Sequence, residues 1–492
     1  FLAAAKLQPV DASDDQEFMR RLYLDLTGRV PTIEQAIAFL DGTDADKRGK
    51  LIDELLATKE FGEQFGRTWR DWVCPPELPS DDNGGAQPYK QADAFGRWIG
   101  ERFAAGEPWN KIVREILTVK GETKQNPHVI FFALSGAGGS TTSDGSARAV
   151  ASLFLGVQLQ CSQCHDDPYR DWSQKAHWGL SAFFSRTRGN FDKLEDDKGA
   201  KWREIAIPKS AFKNAGEQIP AAFLGATPLG EGDIDPREAL SNWLTAKDNP
   251  FFARAFVNRL WFYLFSRGIV NPVDDFRELN PPSHPGLIQM LANEFVAADF
   301  DVKHLFRSIC RSRAYQRTSV VPGGVDEQAR GALTTAFGRM PLRVMTADRF
   351  LDSLKLAYGE TKDFDLRGGG KDSVTGQAAT LADAYLEFHR KFGTNEEDAT
   401  DFTHGIAQML TLINHPRLLS GSKTLEEFLK KNPGTTPEVA VERLYLSTLS
   451  RRPDTDELAA AMKFVNRSSS PSAAYAGIVW MLVNRSEFLI VR

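Results

Sequence analysis

Arg21-Leu-Tyr-Leu-Asp-Leu-Thr-Gly-Arg-Val-Pro31 recurs near the other end of the chain as Arg443-Leu-Tyr-Leu-Ser-Thr-Leu-Ser-Arg-Arg-Pro453, and Glu60-Phe61 has a counterpart in Glu487-Phe488 after a similar interval. Around the first copy, Phe18, Leu22 and Leu26 fall at i, i+4 and i+8, the spacing that gathers apolar side chains on one helical face. Gly28 ends that run, and Pro31-Thr32 opens a second helix through Ile33, Ile37 and Leu40. Similar helical units are therefore expected at both ends of the chain. Helical spacing continues over 51–56 into an aromatic face of Phe65, Trp69 and Trp72. It returns at 95–103, 109–119, 237–244, 251–265, 287–296, 302–315, 345–358 and through 401–492. Gly268 reads as a helix stop and Ser283 as the N-cap ahead of His284-Pro285. Loops are expected at 74–93 and at Gly368-Gly-Gly370. The charged, glycine-rich segment 187–235, in which 202–208 alternates as a strand does, reads as a linker with a small β element near 200–230. The fold expected is mainly α, a multi-helix scaffold.

A chain of 492 residues, 42% hydrophobic and 25% charged, is long enough for several folded domains. Its net charge of −5 provides no general attraction to nucleic acid, and none is expected as a partner. No apolar run approaches the roughly 18 residues of a spanning helix, so no transmembrane segment is expected. The chain opens at Phe1 rather than Met, as a chain relieved of a signal segment would.

Chemistry concentrates in Ala151-Ser-Leu-Phe-Leu-Gly-Val-Gln-Leu-Gln-Cys161-Ser-Gln-Cys164-His165-Asp-Asp-Pro-Tyr169. C-x-x-C-H is the pattern of covalent haem c attachment: Cys161 and Cys164 add to the porphyrin vinyl groups and His165 sits under the iron as proximal ligand. On this reading a helix delivers the motif and Pro168 stops it. Distal candidates are His177, His284 and Met290, and a protein of this kind would pass electrons to a redox partner protein. Aromatics over 172–184 would wall such a site. Other readings of the pair are a redox disulfide, or half of a site for zinc or another metal completed by Cys74 or Cys310, bracing a structural scaffold. There is no second C-x-x-C, no G-x-S-x-G and no H-E-x-x-H. Ser135 to Gly145 is glycine-rich but lacks the G-K-[ST] of a phosphate loop, and Asp274-Asp275 shows no sequence partner.

The 21–32 run, Gly156-Val-Gln-Leu-Gln-Cys-Ser-Gln-Cys-His165 and Trp178-Gly-Leu-Ser-Ala-Phe-Phe184 resemble the planctomycete cytochrome-like PSCyt2 domain (DUF1549). The 249–261 run, Gly268-Ile-Val-Asn-Pro-Val-Asp-Asp-Phe276, Asn280-Pro-Pro-Ser-His-Pro285 and Ser312-Arg-Ala-Tyr315 resemble its usual partner, PSD1 (DUF1553). The resemblance implies a periplasmic, secreted or cell-surface protein of Planctomycetes or related bacteria. It divides the chain into a PSCyt2-like helical domain over 1–186, a linker over 187–235, and a PSD1-like domain over 236–320 and 321–492. Family members commonly read Cys-His-Asp-His-Pro, where this chain has Asp167 in place of the second histidine.

Overall fold

The computed structural model describes residues 7–74, 87–135, 140–211, 213–359 and 416–492, and of 87–90 and 416–417 the backbone alone. The expected loop at Gly368-Gly-Gly370, most of the 74–93 loop and the 401–415 part of the expected helical tail lie outside the described residues. In chain order the helices are α1 (Asp15–Thr27), α2 (Ile33–Asp41), α3 (Lys47–Leu56), α4 (Lys59–Val73), α5 (Gln87–Ala105), α6 (Trp109–Thr118), α7 (Ile130–Leu134), α8 (Ser143–Val150) and α9 (Gln174–Ala182). There follow α10 (Pro236–Leu244), α11 (Phe252–Phe265), α12 (Pro285–Ala297), α13 (Val302–Cys310), α14 (Glu327–Thr335) and α15 (Ala347–Tyr358). The last are α16 (Lys423–Lys431), α17 (Pro437–Leu449), α18 (Thr455–Arg467), α19 (Pro471–Val483) and α20 (Ser486–Leu489). The protein is mainly α with a few short antiparallel strands.

The chain divides into two compact units: residues 1–64 with 310–492, and residues 65–309. The first brings the two similar helical units into one body. α1 stops on Gly28 (φ +70°) and α17 on Ser450 (φ +58°), both left-handed. Thr32 and Asp454 then cap α2 and α18 with complete capping boxes to Gln35 and Glu457. Arg29 pairs with Glu60 at 2.8 Å, and in the second copy Arg451 pairs with Glu487 at 2.7 Å. Caps, turns and ion pairs therefore repeat together. Ser450 carries a Cβ into a conformation that costs an ordinary residue about 1 kcal/mol or more. Arg20, fully buried, holds that turn by donating to Thr448 O at 2.8 Å and Ser450 Oγ at 3.2 Å. The core of this unit gathers Leu24 and Val30 with Phe350, Leu354, Leu444, Tyr445, Leu482 and Phe488.

The second unit is built on aromatics. The expected face of α4 is there: Trp69 lies 4.5 Å from Trp109, which lies 4.8 Å from Phe256, itself stacked at 5.0 Å on Phe295. His128 stacks at 4.2 Å on Trp98, and among the described residues its Nδ1 has no hydrogen-bond partner. Burial, helped by nearby Arg102, pulls its pKa down to about 4. A histidine neutral in the fold but charged when unfolded near pH 6.5 contributes stability in full above that value and loses it as pH falls toward 4. Urea unfolding of this unit is accordingly expected to show a loss of about 2–3 kcal/mol from this group between pH 7.5 and pH 4.5. His128→Phe, which keeps the stack, should remove that part of the pH dependence; an unchanged slope would rule His128 out as its source.

The small β element expected near 200–230 is present as a hairpin, β4 (Glu204–Ala206) with β5 (Gln218–Pro220). A second sheet precedes it, formed by β1 (Gly121–Glu122), β2 (Thr187–Gly189) and β3 (Lys193–Asp196) in the order β1-β3-β2. In the first unit β6 (Arg343–Val344) pairs with β7 (Ile490–Val491). Segment 187–235 lies inside the second unit: Trp178 of α9 shares a small core with Ile207 and Ile219. The consecutive limits 1–186, 187–235, 236–320 and 321–492 thus differ from the division in space, because distant ends of the chain share one core.

Candidate functional site

α8 is capped by Thr142, whose side chain accepts from Gly145 N at 3.2 Å, so the end of the glycine-rich stretch is helical. The helix widens into one π turn over Ala151–Leu155 and stops at Gly156, φ +69°. The chain then runs without helix to a single 3-10 turn, Cys161–Gln163. This corrects the expectation of a helix carrying the motif: the apolar run ends one helix, and the cysteines sit on a separate turn five residues beyond Gly156. Glycine is required there for two reasons. The φ is left-handed, and a Cβ would stand 2.6 Å from the Phe276 ring, whose amide donates to Gly156 O at 3.1 Å. Gly156→Ala is expected to cost about 2–4 kcal/mol, from the φ strain and the overlap; thermal unfolding equal to the parent would contradict this account.

Cys161 is exposed and Cys164 partly so, and both are free thiols. His165, beside them, has Nδ1 2.7 Å from Asp166 O. With a proton on Nδ1 that contact is a hydrogen bond, and the lone pair is left on Nε2. The turn is held from below by α9: Gln174 Nε2 donates to Cys164 O at 3.0 Å and Trp178 Nε1 to Gln163 O at 3.0 Å. Gln163 in turn donates to Asp144 of α8 at 3.0 Å.

After the motif the chain turns back on itself. Ser162 Oγ and Asp167 N both donate to Trp172 O, at 3.0 and 2.9 Å. Asp167, at the position of the usual family histidine, is buried; it accepts from Tyr169 N at 2.8 Å and from Arg170 at 3.3 Å. It is an anchor of the loop. Arg170 also donates to Gln158 Oε1 at 2.6 Å and to Asp275 Oδ1 at 2.9 Å, thereby joining both flanks of the motif to one buried carboxylate. Asp274 accepts from Ser152 Oγ at 2.6 Å and Gln158 Nε2 at 2.7 Å. Arg277 donates to Asp275 at 3.0 Å and to Tyr169 O at 3.2 Å. Asp274-Asp275, without a visible partner in the sequence, is thus the counterpart of the C-x-x-C-H loop.

His177 on α9 is fully buried beneath the turn. Burial pulls its pKa down to about 4 against the opposing pull of Asp144, so it is neutral at pH 7. His284, not Ser283, is the N-cap residue of α12; its Nδ1 lies 3.1 Å from Ser283 Oγ, and Ser283 donates to Ile269 O. The helix before it ends at left-handed Ser266, two residues ahead of the expected Gly268. Met290 projects from α12 with 58% of its surface exposed. Of the three distal candidates, His177 is the one on the helix that holds the motif turn. Trp178, Phe183 and Phe184 belong to the core, and Trp172 stays beside the loop.

Cys74 and Cys310 are both buried, which pushes the Cys74 thiol up to about 12 and the Cys310 thiol well above its ordinary value. Among the described residues no group of three or more His, Cys, Asp and Glu side chains is arranged to hold a metal ion. No helix among them is long and apolar enough to cross a membrane.

Residues 1–189 match the family model PSCyt2, described as a protein of unknown function (DUF1549), and 236–380 match PSD1, likewise of unknown function (DUF1553). The chain joins a PSCyt2 domain to a PSD1 domain. No curated protein and no solved structure matches it. The C-x-x-C-H loop belongs to the PSCyt2 match and Asp274-Asp275 to the PSD1 match, so Arg170, Gln158 and Ser152 assemble one site from both. The donor set fits a covalently held haem on its proximal side: two free thiols with solvent access, one turn apart, followed by an imidazole with its Nδ1 at a carbonyl.

Proposed function

We propose that this PSCyt2–PSD1 protein is an extracytoplasmic c-type haem protein with one covalent haem, serving electron transfer or redox chemistry with a partner protein. The observation that carries the reading is the turn itself, with free, solvent-reaching Cys161 and Cys164 and the adjacent His165 held by Asp166 O. Each thiol would add its sulfur to one carbon of a vinyl group and its hydrogen to the other, so attachment needs no oxidant. His165 Nε2 would hold the iron, with the Asp166 carbonyl holding the Nδ1 proton and the ring orientation. Haem supplies one-electron chemistry at iron. The Arg170 network holds the turn rigid, which limits rearrangement when the charge of the site changes. Covalent attachment of haem to bacterial proteins takes place outside the cytoplasm, which supports a periplasmic, secreted or surface location.

The test is production of the full chain in a host that matures c-type cytochromes, followed by intact mass and the spectrum after acid–acetone extraction. One haem retained on the chain is expected, and loss of all covalent haem in the Cys161→Ala, Cys164→Ala double variant. A colourless chain of unmodified mass under these conditions would refute the reading.

A further inference from the structure

Arg254 lies on the first turn of α11, between two residues that reach the flanks of the motif loop. Phe251, three residues before it, places its ring 6.3 Å from Trp172. Ala255, next to it, approaches Gly156 closely enough that a Cβ there would be 3.4 Å away. The Arg254 guanidinium rests over the Phe276 ring at 5.3 Å, and Phe276 is the residue bonded to Gly156 O. Its Nε is sealed from water without a hydrogen-bond partner, and among the described residues no carboxylate pairs with it. The arginines of the motif network are matched: Arg170 with Asp275 and Asp167, and Arg277 with Asp275. A guanidinium keeps its proton, so a partly buried, unmatched one costs stability. Stacking on one phenyl ring offsets about 0.5–1 kcal/mol of that cost and does not replace an anion.

We propose that Arg254 is the anchor for a carboxylate carried by the ligand of the C-x-x-C-H loop. The proposal rests on the haem reading for the source of that carboxylate, a porphyrin propionate; a small free carboxylate would present the same chemistry to the same guanidinium. Arg254 forms the planar, two-pronged pair that guanidinium makes with carboxylate.

The test uses the full chain, haem-free, titrated with protoporphyrin IX and with its dimethyl ester, which has the same ring without ionised carboxylates. Arg254 is followed by phenylglyoxal labelling and peptide mass mapping. The free acid is expected to bind at least tenfold more tightly than the ester and to slow labelling of Arg254 at least fivefold. Arg254→Gln should bring the acid down to the ester's affinity, and Arg254→Lys should recover part of the difference. Equal affinities for acid and ester, with labelling unaffected by the acid and by 50 mM sodium succinate, would overturn the proposal. Protection by succinate alone would keep the anchor and assign it a free carboxylate. Whether haem attaches to Cys161 and Cys164 is read separately from intact mass, so either idea can fail without the other. If Arg254→Gln does not fold, the labelling and acid–ester comparison on the parent chain decide.

Discussion

Asp25→Ala is expected to destabilise the unit formed by the two chain ends by roughly 3–5 kcal/mol, the usual cost of removing one partner from a buried charge cluster. Asp25 on α1 is fully buried and accepts from Arg343 through both oxygens, each at 2.9 Å, and from Tyr315 Oη at 2.8 Å. Arg349 approaches Asp25 Oδ1 at 3.8 Å. These partners come from segments some 290 and 318 residues further along the chain. Removing the carboxylate leaves the Arg343 charge and a phenol hydroxyl desolvated without their acceptor. The measurement is urea unfolding followed by fluorescence. The companion variant Asp25→Leu, Arg343→Met removes both charges at once and should cost substantially less than Asp25→Ala alone. Equal losses would show that Asp25 acts through packing and not through its charge.

Arg170→Ala carries the second large effect, and it falls on the site. The side chain serves Gln158, Asp167 and Asp275 together, so its loss removes the cation beside Asp167, leaves Asp275 with Arg277 and unties both flanks of the C-x-x-C-H loop. A cost of roughly 3–5 kcal/mol is expected for the cluster. Because the loop can open locally, part of that cost should appear there first. Alkylation of Cys164, now only partly exposed, should accelerate at least tenfold, whereas Cys161, already exposed, should change little. Arg170→Lys keeps the charge but cannot reach three acceptors with a planar fork, and should fall between. Unchanged Cys164 reactivity in a folded Arg170→Ala chain would remove the loop-holding role assigned to this arginine.

How much of this was legible beforehand depends on the range of the signal. The stop at Gly28, the Thr32 cap and the Phe18–Leu22–Leu26 face are local: propensity, capping and a 3.6-residue period act within a turn or two of themselves. The C-x-x-C-H pattern is equally local. Mistakes arose where a local pattern met a distant constraint. The apolar run at 151–155 looked continuous with the cysteines, but Phe276, packed against Gly156, leaves no room for a side chain there, and the helix ends. Segment 187–235 is charged and glycine-rich, and only in space do its Ile207 and Ile219 close a small core with Trp178.

The sequence alone determined the mainly helical character and the matching units at both ends, and it marks Cys161, Cys164 and His165 as the centre proposed here. These follow from periods and spacings within a few residues. Tertiary structure alone decided which carboxylate meets Arg170, that Asp167 turns inward as an anchor, and that Arg254 is left without a carboxylate partner among the described residues. Any of the chain's 65 acidic residues could pair with any of its 60 basic ones as far as charge is concerned. The choice is made by burial, where a mismatched charge costs several kcal/mol and only one arrangement brings Asp275 across 105 residues to the loop.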